Sequence, residues 1–124
     1  MYQTKITGDK LYHAVSSGYG TPVETFGTTD DGETPMSLLV IALSSCVTMC
    51  VQGYYKRRHG LESLKMETHT SYDDGKFELT IQLPAQLLAE TNQEALRDYA
   101  DRYCRVKSLL REDVIVSMMF EGVL

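Results

Sequence analysis

The stretch of residues 36–55 reads MSLLVIALSSCVTMCVQGYY and contains no charged side chain. It is as long as a membrane-spanning helix, since about 20 apolar residues cross a bilayer. Small or polar residues nevertheless interrupt it, namely Ser37, Ser44, Ser45, Thr48, Gln52 and Gly53. A helix that is apolar on every side is more often the buried centre of a globular core. We therefore expect a core helix over residues 36–59, which ends at Gly60 after a basic last turn.

The whole chain has the composition of a folded, soluble protein. It contains 124 residues, of which 43% are hydrophobic and 23% are charged, and this is sufficient for one hydrophobic core. A single domain is expected over residues 1–124. The formal net charge of −5 argues against a nucleic-acid binder, which needs a basic surface. The basic run Lys56-Arg57-Arg58-His59 is short and complements the dipole at a helix end. Neither nucleic acid nor a membrane is an expected partner.

Alternating apolar residues on both sides of the long helix indicate β-strands. Residues 1–25 predict a hairpin, and residues 23–26 predict a further short strand. The alternation over residues 64–83 predicts a second antiparallel hairpin with one buried face, which turns at Asp73-Asp74-Gly75.

The C-terminal part of the chain predicts two helices and a last strand. Thr91 and Glu94 form the T-x-x-E pattern of a capping box before a helix with one apolar stripe. A short helix is expected at about 104–110 and a strand at about 114–120. The element order, ββ(β)-α-ββ-α-α-β, predicts an α+β fold.

The chain has three cysteines, an odd number that lacks the dense spacing of a secreted disulfide framework. Residues 1–10 show no signal-peptide pattern, so a reducing cytoplasm is expected. Cys46 and Cys50 lie one helical turn apart, with Cβ atoms about 5–6 Å from each other, whereas a disulfide needs about 3.8 Å. A bond between them inside an intact helix is therefore not expected. No second Cys/His pair has ligand spacing, so neither a metal nor a cofactor is predicted.

Cys104 stands among the cations Arg102, Arg105 and Lys107, at the predicted start of a helical turn. Positive charge and a helix N-terminus both favour the thiolate, which is the nucleophilic form of cysteine. Free cysteines also serve as small buried hydrophobes. On the residues alone, packing and reactivity stay open for both Cys46 and Cys104.

Two motifs together resemble the OsmC/Ohr family. Gly-Glu-Thr-Pro-Met-Ser-Leu-Leu at residues 32–39, with the Ala/Ser-rich stretch that ends at Cys46, is similar to that family's G-x-x-P-x-x-L-L-x-x-x-x-x-x-C helix. Tyr-Cys-Arg-Val-Lys-Ser-Leu-Leu at residues 103–110 is similar to its C-P-V-x-x-x-L segment. The resemblance covers essentially the whole chain. It implies the OsmC-like fold, in which antiparallel sheets wrap around a long central cysteine-bearing helix in an intertwined homodimer.

The resemblance also implies a chemistry. In the family's peroxidases the helix cysteine attacks the O–O bond of a hydroperoxide, and a second cysteine resolves the resulting sulfenic acid as a disulfide. By position these roles fall on Cys46 and Cys104, with a small organic hydroperoxide as substrate and an external dithiol as reductant. The chain departs from the pattern in three respects: Met36 replaces a glutamate, no arginine precedes Arg57, and Arg105 replaces the usual proline.

These departures concern how the thiolate is stabilised. Desolvation raises the pKa of a thiol in an apolar helix unless a cation lies within a few ångströms. Arg105 is the first candidate for that cation and a third expected site residue, because it directly follows Cys104. His13, on an N-terminal strand, is the second candidate. Glu33 is interpreted as loop or helix N-terminal charge.

Three functions remain open on this reasoning. The first is an organic-hydroperoxide reductase that uses Cys46 and Cys104. The second is a non-enzymatic OsmC-like dimer that binds an apolar or thiol-reactive small molecule, and Met36 favours it. The third is a structural dimer whose cysteines only pack. An obligate homodimer is expected in each case, because a helix without a polar face needs cover on all sides.

Overall fold

The computed structural model describes residues 1–123 and has a mixed α+β structure with two three-stranded sheets and a long helix. Contacts divide the chain into two compact units, Met1–Leu39 and Val40–Leu124. The α+β class predicted from the sequence is confirmed. The single domain over residues 1–124 stays a prediction.

The first unit contains a thin antiparallel sheet. Strands β1 (Lys5–Thr7), β2 (His13–Ser17) and β3 (Glu24–Phe26) pair in that order. The predicted N-terminal hairpin and the third short strand are therefore confirmed. No residue of the three strands is fully buried, and Ile6 is 60% exposed. This sheet has no closed core of its own.

Helix α1 extends over Pro35–His59 and confirms the helix predicted from the charge-free stretch. Pro35 suits a first helical turn, and Gly60 follows the last residue with a φ of 67°, which favours glycine. The helix has the length and composition of a membrane span, yet only 17% of its most apolar 18-residue window is buried. Most other residues of that window are partly buried, and Ile41 and Met49 are among the exposed ones.

The second unit is built on a sheet with the order β4-β5-β6. Strands β4 (Glu67–Asp73) and β5 (Lys76–Pro84) form the predicted antiparallel hairpin. Its turn residues Asp74 and Gly75 have φ values of 46° and 79°, which suit Asp and Gly in a tight hairpin.

Strand β6 (Ile115–Val123) lies parallel to β5, so this sheet is mixed and not purely antiparallel. Parallel neighbours need a long crossover connection. Three helices supply it: α2 (Ala85–Ala89), α3 (Gln93–Tyr103) and α4 (Arg105–Ser108). Helix α2 was not among the predicted elements, whereas α3 and α4 confirm the two helices expected there.

The predicted capping box at Thr91 and Glu94 is wrong. The N-cap of α3 is Asn92, whose side-chain oxygen accepts a hydrogen bond from the Ala95 amide at 3.1 Å. The Thr91 hydroxyl instead donates to the Leu87 carbonyl oxygen at 2.7 Å and bonds the Tyr55 hydroxyl at 2.7 Å. The Thr91 side chain is thus engaged in hydrogen bonds with Leu87 and Tyr55 and does not cap α3.

The core of the second unit lies where one stripe of α1 meets the inner face of the sheet and α3. α1 is held beside β4 by hydroxyl pairs, Thr48 with Thr68 at 2.7 Å and Ser44 with Thr70. The fully buried residues of this core are Leu43, Val47, Val51, Tyr55, Phe77, Leu79, Ile81, Leu83, Leu96, Ala100 and Cys104. The cysteine face of α1 is thereby fixed next to the turn between α3 and α4.

Candidate thiol site

The three cysteines of the chain meet in the second unit. Cys46 and Cys50 lie one turn apart on α1 and are both partly buried. Cys104 lies between α3 and α4 and is 1% exposed. The thiols of Cys104 and Cys50 both lie near enough to Cys46 to act on its pKa. The structure therefore brings the two cysteines named from the sequence together, and adds Cys50 beside them.

The position of Cys104 follows from how α3 ends. Its amide still donates to the Ala100 carbonyl oxygen at 3.0 Å, but its own backbone is extended, with φ −75° and ψ 105°. The chain therefore leaves the helix and starts α4 at Arg105. As the N-cap of α4, the Cys104 sulfur accepts a hydrogen bond from the Lys107 amide at 3.4 Å. The free amides of this first turn then face the thiol cluster.

Cys46 is the cysteine that is prepared to ionise. Burial acts to raise its pKa, but four hydrogen bonds act in the opposite direction. They come from the Val106 amide, the Cys104 thiol, the Arg105 amide and the Cys50 thiol. Together they outweigh desolvation and hold the pKa of Cys46 below its ordinary value. Donors that carry no net charge thus favour the thiolate at this position.

The other two cysteines are held in the thiol form. Burial, the hydrogen bond to Cys46 and the charge on Cys46 raise the pKa of Cys104 to about 11, against the opposing amide hydrogen bonds. Burial, the charges on Cys46 and Cys104, and the hydrogen bond to Cys46 raise the pKa of Cys50 to about 12. At neutral pH the cluster therefore holds one thiolate-forming sulfur and two proton donors.

Arg105 contributes to this site through its backbone. Its side chain is exposed, and the influences on the pKa of Cys46 include the Arg105 amide but no charge from its guanidinium. The sequence pointed to Arg105 for its cation, whereas the contact in the structure is a peptide N–H. Nearly every residue carries a backbone amide, so no residue pattern in the sequence points to this contact. The one hint was the predicted start of a helical turn at Cys104.

The remaining candidates lie in the first unit. His13 Nε2 is 2.8 Å from Glu24 Oε2, and its Nδ1 is 3.7 Å from Asp9, so the imidazole already faces two carboxylates. Met36 is 42% exposed. Glu33 accepts a hydrogen bond from the Ser37 hydroxyl at 2.6 Å, which agrees with its interpretation as helix N-terminal charge.

Among residues 1–123, no group of three or more His, Cys, Asp or Glu side chains has a geometry that could hold a metal ion. Independently of that, the three thiols lie close enough for each to influence the pKa of another. A thiolate beside a buried, protonated thiol can attack, and the neighbour can supply a proton and then form a disulfide.

The chain can be compared with known proteins on this basis. No curated protein matches it significantly in sequence. Its fold is similar to that of an OsmC-like protein from Mycoplasma pneumoniae, with a TM-score of 0.77 and 10% identity over 100% of this chain and 98% of the other. An organic hydroperoxide resistance protein OsmC from Legionella pneumophila has a TM-score of 0.64 and 17% identity, with coverage of 99% and 98%. The organic hydroperoxide resistance protein OhrB of Bacillus subtilis has a TM-score of 0.61 and 13% identity, with coverage of 97% and 98%.

At these identities the structural likeness shows the fold. The family described as OsmC-like protein matches residues 28–118, which include α1, the β4–β5 hairpin, the thiol cluster and the first four residues of β6. That span is most of the chain and contains both motifs noted in the sequence. The protein therefore belongs to the OsmC-like protein family.

Proposed function

We propose that the protein has a stress-related redox role and reduces small organic hydroperoxides through Cys46 and Cys104. The observation that carries this proposal is the difference in pKa between the cysteines of the thiol cluster. The pKa of Cys46 is lowered, in part by the neighbouring Cys104 thiol, whereas burial raises the pKa of Cys104 to about 11. Family membership and the hydroperoxide-resistance proteins among the structural neighbours support the same chemistry.

The first step is the attack of the Cys46 thiolate on the terminal oxygen of the hydroperoxide. The O–O bond breaks, the sulfur is oxidised to a sulfenic acid, and the alkoxide leaves. The leaving alkoxide needs a proton, and Cys104 is placed to supply it because a thiol is a much stronger acid than an alcohol. The products of this step are the alcohol, the Cys46 sulfenic acid and the Cys104 thiolate.

The second step is the attack of Cys104 on the sulfenic sulfur of Cys46. An S–S bond forms, and hydroxide leaves and takes a proton from solvent to become water. An external dithiol then reduces the disulfide to two thiols and is itself oxidised to a disulfide. One hydroperoxide and one dithiol are consumed in each cycle, and no cofactor or metal is required.

The same proposal includes a soluble, cytoplasmic homodimer. α1 carries no charged side chain before Lys56, and its apolar side chains Ile41 and Met49 are 46% and 67% exposed. In water, these exposed apolar side chains favour burial against a second copy of the chain. Sedimentation at micromolar concentration is expected to give twice the chain mass, and a stable folded monomer contradicts this part of the proposal.

Hydroperoxide consumption in the presence of dithiothreitol tests the chemistry. The unmodified protein is expected to turn over cumene hydroperoxide, and Cys46→Ser is expected to abolish the reaction. In Cys104→Ser the sulfenic acid should persist, so that dimedone labels Cys46 after one equivalent of peroxide. Peptide mapping of the oxidised protein should find a Cys46–Cys104 disulfide with Cys50 reduced. A bridge that contains Cys50, or no bridge, contradicts the assignment of roles.

One observation favours a second candidate, a non-enzymatic binder of a thiol-reactive small molecule. No cationic side chain acts on the pKa of Cys46 among the described residues, and Met36 is exposed. Saturable alkylation of Cys46 by an apolar electrophile, without turnover of any hydroperoxide tested, is the result expected for a binder.

A further inference from the structure

A separate cleft of about 430 Å³ lies between the last turn of α1 and helix α3. Three arginines line it, Arg57 and Arg58 from α1 and Arg102 from α3. The lining includes one acidic side chain, Asp98, and no cysteine. A cleft with three cations and one carboxylate stands out on a chain whose formal net charge is −5.

None of these arginines forms an ion pair within the described part of the chain, although other cations do. Arg111 lies 2.8 Å from Asp113, and Lys107 pairs with Asp101. Asp98 lines the same cleft and stands one turn before Arg102 on α3, yet no ion pair joins them. The guanidinium groups therefore have free donors in a concave site.

Tyrosine rings hold these guanidinium groups in place. Tyr99 lies between Tyr54, which it meets edge-on, and Tyr103, against which it is tilted, with ring centroids 5.5 and 4.6 Å away. Arg58 lies 5.1 Å from the ring of Tyr54, and the ring of Tyr103 has Arg102 at 5.6 Å and Arg57 at 6.0 Å. Contact with an aromatic face orders an arginine while its in-plane N–H groups stay available for an oxyanion.

The helix dipole accounts for only part of this arrangement. Arg57 and Arg58 lie in the last turn of α1, and Arg102 lies in the last turn of α3, where cations are favourable. That effect explains each charge on its own helix. The contacts with Tyr54 and Tyr103 bring arginines from two helices to one cleft, where three cations beside one carboxylate leave an excess of positive charge that attracts an anion.

We propose that this cleft binds a small aromatic phosphate with two or more negative charges, of the nucleoside diphosphate class. Guanidinium groups match phosphate oxygens in pairs, which lysine cannot do. A volume of about 430 Å³ is in the range of small-molecule sites. Tyr103 lines the cleft and is 47% exposed, so a planar base can contact it beside Arg57 and Arg102. The site is independent of the thiol chemistry, since it contains no cysteine.

Isothermal titration calorimetry of the full-length protein with ADP, pyrophosphate and adenosine tests the proposal. ADP is expected to bind more tightly than pyrophosphate, and adenosine alone is expected not to bind. Arg57→Gln and Arg102→Gln should each weaken ADP binding roughly tenfold to a hundredfold, the effect of losing hydrogen bonds to a charged group. Arg102→Lys, which keeps the charge and loses the paired donors, should also weaken it.

Arg111→Gln is the matched control, because it removes the same charge outside the cleft and should leave ADP binding unchanged. Circular dichroism checks that each variant is folded, and the exposed arginines make loss of the fold unexpected. Absence of heat with both ADP and pyrophosphate at millimolar concentration overturns the proposal. Equal weakening by Arg111→Gln overturns it as well, since binding then reflects overall charge. Equal affinity for ADP and pyrophosphate removes the aromatic part of the assignment.

Discussion

Replacement of Arg105 by proline isolates one backbone hydrogen bond to Cys46. Arg105 is the first residue of α4, a position where proline is well tolerated. Cys104 before it is already extended, with φ −75° and ψ 105°, as a residue before proline should be. Arg105→Pro therefore removes the amide that lowers the pKa of Cys46, together with the side chain. Arg105→Ala removes the side chain alone and serves as the control.

The size of the effect follows from the strength of a hydrogen bond to a charged acceptor. Such a bond contributes about 1.5–3 kcal/mol, and one pKa unit corresponds to about 1.4 kcal/mol. Cys46 is partly exposed, so water replaces some of the loss, and we expect the pKa to rise by about one unit. At a pH below the pKa, the thiolate fraction then falls about tenfold. The more basic thiolate is about threefold more nucleophilic, because the Brønsted slope is about 0.4–0.5. The net rate at a pH below the pKa should fall about threefold.

Stopped-flow reaction with cumene hydroperoxide, and alkylation of Cys46 by iodoacetamide across pH, measure both quantities. Arg105→Pro should be slower than the unmodified protein below the pKa of Cys46 and faster well above it, so the two pH profiles should cross. Arg105→Ala should follow the unmodified protein. If Arg105→Ala shifts the profile as much as Arg105→Pro, the guanidinium is the stabilising group that the sequence suggested. If neither shifts it, the amide does not act on Cys46.

Three further predictions concern the cluster and the core. Iodoacetamide at neutral pH should label Cys46 alone, because the pKa values of Cys104 and Cys50 are raised to about 11 and 12. The labelling rate should rise with pH through a pKa below the ordinary thiol value. Peptide mapping that finds Cys50 labelled first contradicts this prediction. Cys50→Ala should raise the pKa of Cys46 and Cys50→Ser should not, because serine keeps a donor; equal shifts in alkylation profiles refute the role of that donor. Leu79→Ala should lower the free energy of unfolding, measured by urea titration, by about 2–5 kcal/mol, because Leu79 is 1% exposed in the core of the sheet. The control Met119→Ala, at a 62% exposed position of β6, should lower it by far less.

The linear features of the fold were predictable from the sequence, and those that depend on distant contacts were not. The charge-free run predicted α1, and strict alternation predicted β4 and β5. Alternation marks a strand but not its direction, so the parallel pairing of β6 had no signal. α2, with five residues, is too short for a helical period. The cap of α3 moved to Asn92 because the Tyr55 hydroxyl and the Leu87 carbonyl engage Thr91.

For the site, too, the sequence indicated which side chains take part but not the backbone contacts around them. The resemblance named Cys46 and Cys104, and the structure brings them together. The helical spacing placed Cys50 on the same face but gave it no role beyond an improbable disulfide. The amides of Arg105 and Val106 were outside the reach of any residue pattern, because every residue except proline carries one. The missing arginine directed attention to cations, whereas the donors in the structure are peptide groups and thiols.

The division of roles among the thiols follows from how closely they are packed. Two neighbouring thiolates repel in a partly dehydrated site, so ionisation of one sulfur raises the pKa of the others. The cluster can therefore hold one nucleophile, and Cys46 is favoured because the Arg105 amide acts on its pKa in addition to the Val106 amide, which acts on both Cys46 and Cys104. Once Cys46 is oxidised, its negative charge no longer acts on Cys104, and one of the causes that keep Cys104 protonated is lost. Oxidation of the first cysteine thus prepares the second to ionise, at the step where it must attack.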